Sequence, residues 1–487
     1  MLNEAHLPFA SFFCSRQLDS WNSKLLVTTL CHDLAELDKF YAVNLLQVLG
    51  TNPKVINARL AIQVDELLVK PWQASISQRI VLPTPVVVVD GLNESDRGPE
   101  FLRELLRVIS GGRLVGIKFL VTSGPDPNII KICKCFPLNS VCKLHQVETA
   151  SQKDIEKYLR EALPELKDEP ELTSLSEQAG GFFIYATTAV KLISPPHYNS
   201  TVSEMRSKLQ AMLDFEPLMS HADGDESLLV DDLYLRILRD VLWGIRPDVT
   251  HSRILYTIVC AESGINISVL ADLTETESNV VEKFVESLYA VLFVSPKDGN
   301  VYWYHASFRD FVLSRSPTVL SRARARVSSI RHNNNPKYHV TSDLDVSCQA
   351  SAHHGFLARR CFFLMQSLHF NMCDLPSSFI FDAEVPGLCA SINRIFSPTL
   401  RYVSRHWARH LLRAVPATDD DDHLCRDLKN FLCNKLLFWI EAMNLIGAKS
   451  DISSLLMDAA SWLERVRMTI PTFNKNDLDA LSGQRIA

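Results

Sequence analysis

Residues 85–94 read PVVVVDGLNE: four valines, Val86 to Val89, run directly into Asp90, with a second carboxylate at Glu94. An unbroken β-branched run suits a strand buried on both faces of a parallel sheet. Such sheets place their ligand chemistry beyond the C-terminal ends of the strands. In phosphate-handling enzymes an Asp there holds a magnesium ion, and a nearby carboxylate orders the attacking water. Asp90 and Glu94 would take those two roles. The plainer alternative is a core strand ending in a polar turn, with Asp90 satisfying backbone donors. A second apolar run, KFLVTSGPDPNI, would bring the hydroxyls of Thr122 and Ser123 to the same sheet edge. Alone it reads as a strand followed by a Pro-rich turn.

Other constellations carry less chemistry. Cys133, Cys135, Cys142 and His145 lie close in sequence, but C-x-C spacing in apolar surroundings does not fit the C-x₂-C pairing common in structural zinc sites. His406 and His410 share one helix face at i,i+4, with no carboxylate at helical spacing to complete a metal site. There is no G-x-S-x-G elbow and no H-E-x-x-H run, so hydrolase readings lack support.

The elements that must position these residues change character along the chain. Residues 1–150 alternate between strand and helix patterns: Ser11–Cys14, a helix over Leu25–Leu37, the valine strand, a helix over Leu102–Ile109 stopped by Gly111–Gly112, a strand at Ile117–Thr122 and a further strand near Val141–Val147. That rhythm predicts a doubly wound α/β domain. Residues 151–227 read as a small helical domain and linker. Ser151 caps the first helix, Leu172–Gln178 forms a second, and FFIYATTAVKLI forms a third that stops at Pro195–Pro196. Residues 194–227 then read partly as a linker ending in the acidic HADGDES. Over residues 228–316, GINISVLADL, TESNVVEKFVESL and two short strands joined by KDGN give helix, helix, hairpin, the pattern of a winged helix. Pro317–Val340 reads as a mobile basic excursion. Residues 346–468 read as a helical domain broken at Pro376, Pro386, Pro398 and the acidic loop Asp419–Asp422, and 469–487 as a tail. The fold class is therefore α/β followed by mainly α.

Composition narrows the function classes. The 487 residues are 47% hydrophobic and 22% charged, an ordinary globular balance. The net charge of −6 and the acidic segment where a recognition helix should be basic argue against nucleic acid as a partner. Twelve scattered cysteines point to a reduced, cytoplasmic protein rather than a disulfide scaffold. No apolar run approaches the ~18–20 residues a membrane span needs, so no membrane partner is expected.

Taken in order, ASFFCSR, VVVVDGLNE, KFLVTSGPDP, DIEKYL, GGFFIYATTAV, YHASFRDF and RHWARHLL resemble the NACHT-type STAND P-loop NTPases of basidiomycete fungi, which share a nephrocystin-like N-terminal domain. The resemblance spans nearly the whole chain. It implies a nucleotide-binding domain, a small helical domain, a winged helix and a further helical domain. It also implies an ADP-closed, ATP-opened oligomerisation switch used in fungal non-self recognition. Through it Asp90 becomes the Walker B magnesium residue, Glu94 the candidate catalytic acid, and Ser123 a nucleotide-binding position. His305 corresponds to the winged-helix histidine that touches a nucleotide phosphate. The alternative for His305 is a wing residue packed beside Tyr304 and Phe308.

The departures from that pattern weigh heavily. A phosphate-binding loop needs G-x-x-x-x-G-K-[ST], and this sequence has no Gly before Gly50 and no Gly-Lys dipeptide. The resemblance thus implies a chain truncated partway down the helix that follows the loop. The family's Arg after T-S is Gly124 here, which cannot sense a γ-phosphate, and Asn93 stands where an Asp is usual. With the central loop-bearing strand gone, its two neighbours would lose pairing in a buried region. At ~1–3 kcal/mol per unsatisfied group, against ~5–15 kcal/mol in total, residues 1–150 are expected to be poorly stable alone.

Three functions follow from this. The chain is a nucleotide-binding-deficient STAND-like regulatory protein that catalyses nothing and needs no cofactor. Or it is an interaction module pairing with itself or with intact STAND relatives. Or it is a fragment of an ATP/ADP- and magnesium-dependent switch whose upstream exon supplies the loop.

Overall fold

The computed structural model describes residues 8–17, 21–76, 78, 84–124, 126–136, 143–145, 151–196, 198–214, 228–244, 249–313, 349–377, 379–415 and 421–469. It is mostly helical, with two small sheets among the described residues. The chain divides into two compact units, the first Met1–Glu148 together with Glu262–Gly264, the second the remainder.

In the first unit, β1 (Phe9–Phe13), β2 (Val86–Asp90) and β3 (Lys118–Val121) form a parallel sheet in the order β1-β2-β3. Phe13 lies beside Asp90, and Val89 beside Val121. One face carries Ala10, Phe12, Val87 and Val89, all buried. The other face is only half covered, with Phe13 63% and Leu120 54% exposed. The reading of the valine run as a strand buried on both faces therefore holds for one face only. β3 has no partner on its outer edge among the described strands.

α1 (Trp21–Leu37) matches the predicted first helix. The segment that follows was not read as helical, yet it is. α2 (Lys39–Thr51), capped by the Asp38 carboxylate, leads to α3 (Leu60–Gln63), a π-helical turn at Val64–Val69, and α4 (Lys70–Ile76). Tyr41 and Trp72 are fully buried there, and Tyr41 donates to the carbonyl of Leu67 at 2.8 Å. α5 (Gly98–Ser110) buries Phe101, Leu102, Leu105, Leu106 and Val108 at helical spacing and ends at Gly111, with Gly112 at φ +67°. α6 (Pro127–Cys135) is capped by Asp126. Of the strand expected at Val141–Val147, residues 143–145 carry no strand, and the remainder lies outside the described residues.

The second unit opens with α7 (Gln152–Ala162), α8 (Glu171–Gln178) and α9 (Phe183–Ile193), close to the predicted bounds. The linker reading of 194–227 needs correction. Its described part contains α10 (Val202–Leu213), started by a capping box in which Thr201 and Glu204 satisfy each other's backbone N–H groups. The HADGDES patch lies outside the described residues. α11 (Leu228–Gly244) and α12 (Val249–Cys260) precede β4 (Ile265–Asn266), α13 (Ile267–Thr274) and α14 (Ser278–Ser287). The hairpin β5 (Leu292–Val294) and β6 (Asn300–Trp303) then completes an antiparallel sheet in the order β4-β6-β5, so the elements follow the expected order of helix, helix, hairpin. Gly299 at φ +69° makes the turn that Asp298-Gly299 predicts. α15 (Ala306–Leu313) closes this part.

The basic excursion Pro317–Val340 lies outside the described residues. Beyond it, α16 (Ala350–Leu364), α17 (Leu388–Ile395), α18 (Pro398–Arg413), α19 (Asp421–Asn434), α20 (Leu436–Leu445) and α21 (Ile452–Thr469) build a helical array. Pro398 does not break a helix but begins one behind the Ser397 cap. Likewise Asp421 and Asp422 belong to the first turn of α19 instead of a loop. The core of the array packs Trp407 at a tilt against Phe431 at 4.8 Å and edge-on against Trp439 at 5.7 Å.

Candidate functional site at the acidic sheet edge

The C-terminal edge of the parallel sheet is where the predicted acidic residues emerge. Asp90 is exposed at the end of β2, and Gly91 turns the chain at φ +65°, a conformation that favours glycine. A Cβ at Gly91 would also lie 3.3 Å from the carbonyl of Cys14. Three loops are laced together here. The amide of Cys14 donates to the carbonyl of Asp90 at 2.9 Å. Leu92 N–H donates to the carbonyl of Thr122 at 2.9 Å. Gly91 N–H donates to the Thr122 hydroxyl oxygen at 2.9 Å, and that hydroxyl donates to Asp90 Oδ1.

Glu94 accepts from the amide of Arg16 at 3.3 Å, while the Arg16 guanidinium donates to the carbonyl of Asn93 at 3.3 Å. Asp90 and Glu94 converge electrostatically on Cys14. Burial, followed by the charges of Glu94 and Asp90, pushes its thiol up to about 12. Cys14 is therefore a protonated, non-nucleophilic packing residue at neutral pH.

Of the hydroxyl pair, Thr122 and not Ser123 reaches Asp90. Ser123 donates instead to the carbonyl of Gly124 at 2.8 Å. The sequence reading placed both hydroxyls at this edge without separating them. Only the β2–β3 register, which sets Val89 beside Val121, selects the one that reaches Asp90.

The two positions at which the sequence departs from the pattern it resembles, Asn93 and Gly124, touch each other. Gly124 N–H donates to Asn93 Oδ1 at 2.7 Å. A Cβ built at Gly124 would lie 3.1 Å from Asn93 Nδ2, tighter than ordinary packing. Any side chain at 124, an arginine included, would require Asn93 to move. The two departures are therefore a single coupled feature of this edge.

Compared with known proteins, the chain matches no family model and no curated protein.

His305 belongs to the second unit, at the head of α15. Its Nδ1 lies 2.7 Å from the Ser307 hydroxyl and accepts from the Ser307 amide at 3.2 Å, and that hydroxyl lies 2.8 Å from the hydroxyl of Tyr234. The aromatic neighbours named from sequence are engaged elsewhere. Tyr304 stacks on Phe293 at 4.8 Å beneath the Lys191 ammonium, and Phe308 packs edge-on against Tyr234 at 5.3 Å. Although His305 is exposed as a residue, local desolvation of its ring holds its pKa below the usual range.

Cys133 is buried and Cys135 exposed on α6, His145 is exposed, and Cys142 lies outside the described residues. His410 is fully buried, but its ring partners are His354 Nδ1 at 2.9 Å and the hydroxyl of Tyr402 at 3.0 Å, not His406. His406 instead packs its ring on Tyr402 at 4.7 Å. Burial depresses His354 to about 3 and holds His410 well below its ordinary value, so both rings are neutral. No sequence signal links His354 to His410, which lie 56 residues apart. No helix among the described residues is long and apolar enough to cross a membrane.

Proposed function

We propose that this chain is a regulatory signalling protein of the STAND kind, acting by association with other proteins and not as a competent NTPase. The observation that supports this best is the closed state of the acidic edge. Asp90 is engaged by Thr122, Glu94 by the Arg16 amide, and Gly124 is pressed onto Asn93. Two carboxylates with no Gly-Lys phosphate loop in the sequence offer a triphosphate little to hold. The winged-helix and helical elements of the second unit supply extended surface for protein contacts.

Calorimetry and light scattering on the full chain, with and without millimolar Mg-ATP or Mg-ADP, test this reading. We expect no nucleotide binding and a self- or hetero-association that nucleotide does not change. Nucleotide binding that Asp90→Asn abolishes would overturn it.

The parallel register that brings Thr122 onto Asp90 favours a second reading, a fragment of an ATP-dependent switch. On that reading Asp90 would hold magnesium, Glu94 would order water, and Ser123 and His305 would meet nucleotide. Mapping the 5′ end of the native transcript decides it: an in-frame phosphate-loop sequence upstream supports the switch, and its absence removes it.

A further inference from the structure

We propose that Tyr234, Ser307 and His305 form a proton-sensitive latch in which His305 caps the first turn of α15, itself tied to α11 through Tyr234, and lets that turn go when it is protonated. The inference rests on hydrogen-bond direction and is independent of any nucleotide chemistry. A backbone amide can only donate, so the Ser307 N–H at 3.2 Å requires a lone pair on His305 Nδ1. The ring must then be neutral, with its proton on Nε2. The Ser307 hydroxyl, 2.7 Å from the same nitrogen, must also donate to it. That leaves the Ser307 oxygen to accept from Tyr234, whose hydroxyl lies 2.8 Å away. The whole chain of hydrogen bonds runs one way, from Tyr234 through Ser307 to His305.

Adding a proton at Nδ1 removes the acceptor that both Ser307 groups use. The new N–H faces the Ser307 amide, donor against donor, and the α15 cap is lost. The Ser307 hydroxyl must turn to accept from the ring, and its hydrogen must leave the bond it had. Tyr234, only 1% exposed, keeps the second lone pair of the Ser307 oxygen as its acceptor.

Among the described residues, these ionisable groups bear on the latch. Asp310, on α15 itself, favours the protonated ring, whereas desolvation opposes it more strongly. From α11 come Tyr234 and, acting on it, the Asp231 charge. From α9 the Lys191 ammonium lies 3.9 Å above the Tyr304 ring next to His305 in sequence. The latch sits where β6 passes into α15, whose Phe308 and Phe311 pack on Tyr234. Opening it loosens the first turn of α15.

The test is hydrogen exchange of the full chain, followed on peptides covering residues 304–313 and corrected for intrinsic rates. Between about pH 7.5 and about pH 5 the first-turn amides of α15 should lose roughly tenfold protection. His305→Asn offers an oxygen acceptor at the same place and cannot be protonated in this range, so its profile should stay flat. Tyr234→Phe removes the donor that reinforces the Ser307-to-His305 bond of the neutral ring, so its midpoint should move up towards the ordinary histidine value of 6.5. A flat wild-type profile, or a His305→Asn profile that follows the wild type, overturns the proposal. Should His305→Asn fail to fold, Tyr234→Phe decides alone: an upward midpoint supports the latch, and an unmoved one rejects it.

Discussion

The acidic edge of the first unit and the histidine-rich interior of the second solve opposite problems. At the edge, charged groups remain near water, with the Thr122 hydroxyl on Asp90 and the Arg16 amide on Glu94, so the cost of desolvation stays small. In the second unit His353, His354 and His410 are removed from water and kept as neutral rings, linked to Thr257, to each other and to Tyr402. The first arrangement depends on exact loop register. The second tolerates little proton uptake and depends on burial. The contrast teaches that polar residues of similar sequence appearance serve as edge chemistry in one place and as interior adhesive in the other.

Acidification should separate the two regions most strongly. His353 and His354 are depressed to about 3, mainly by burial, from an ordinary 6.5, so the unfolded chain binds protons that the folded chain refuses. Stability from these rings is fully present above pH 6.5 and falls as pH drops towards 3, by on the order of a few kcal/mol. The second unit should therefore unfold before the first. Fluorescence separates them: Trp407, Trp439 and Trp462 report on the second unit and Trp72 on the first, with single-Trp variants resolving the signals. Simultaneous loss of both signals would erase the contrast.

Next in size is truncation of the aromatic core. Trp407→Ala should cost roughly 3–5 kcal/mol, read by denaturant unfolding of the second unit. At the sheet edge the effects should be smaller and coupled. Asn93→Ala removes the acceptor of the Gly124 amide and should cost about 1–2 kcal/mol. Gly124→Ala should also destabilise, but much less when combined with Asn93→Gly, because the 3.1 Å approach to the Asn93 side chain disappears. Additive costs in that double-mutant cycle would show that the two positions are not one feature. The smallest effect belongs to the α10 cap, where Thr201→Ala should cost about 1 kcal/mol, seen as faster exchange of the amide of Glu204.

Several elements could be read from local pattern because their stabilising physics is local. The β-branched run Val86–Val89 made a strand, Asp298-Gly299 made a hairpin turn, and Ser151 started a helix. The capping box of Thr201 and Glu204 was equally local, and reading its T-x-x-E spacing would have placed α10. The helices between Lys39 and Ile76 were harder, because apolar residues lie around most of their surface and Tyr41 and Trp72 are settled by burial against distant chain.

Residue type and spacing by themselves determined that Asp90 and Glu94 leave the end of one strand, that a helix pair precedes a wing, and that no Gly-Lys loop is present. Tertiary structure decided which hydroxyl meets Asp90, that Asn93 and Gly124 form one contact, and that His410 belongs with His354. Each of these joins residues about 30 or more positions apart, across strand register or helix packing. Local pattern carries no information about such pairings, because their energies arise only when separate segments are brought together and water is excluded between them.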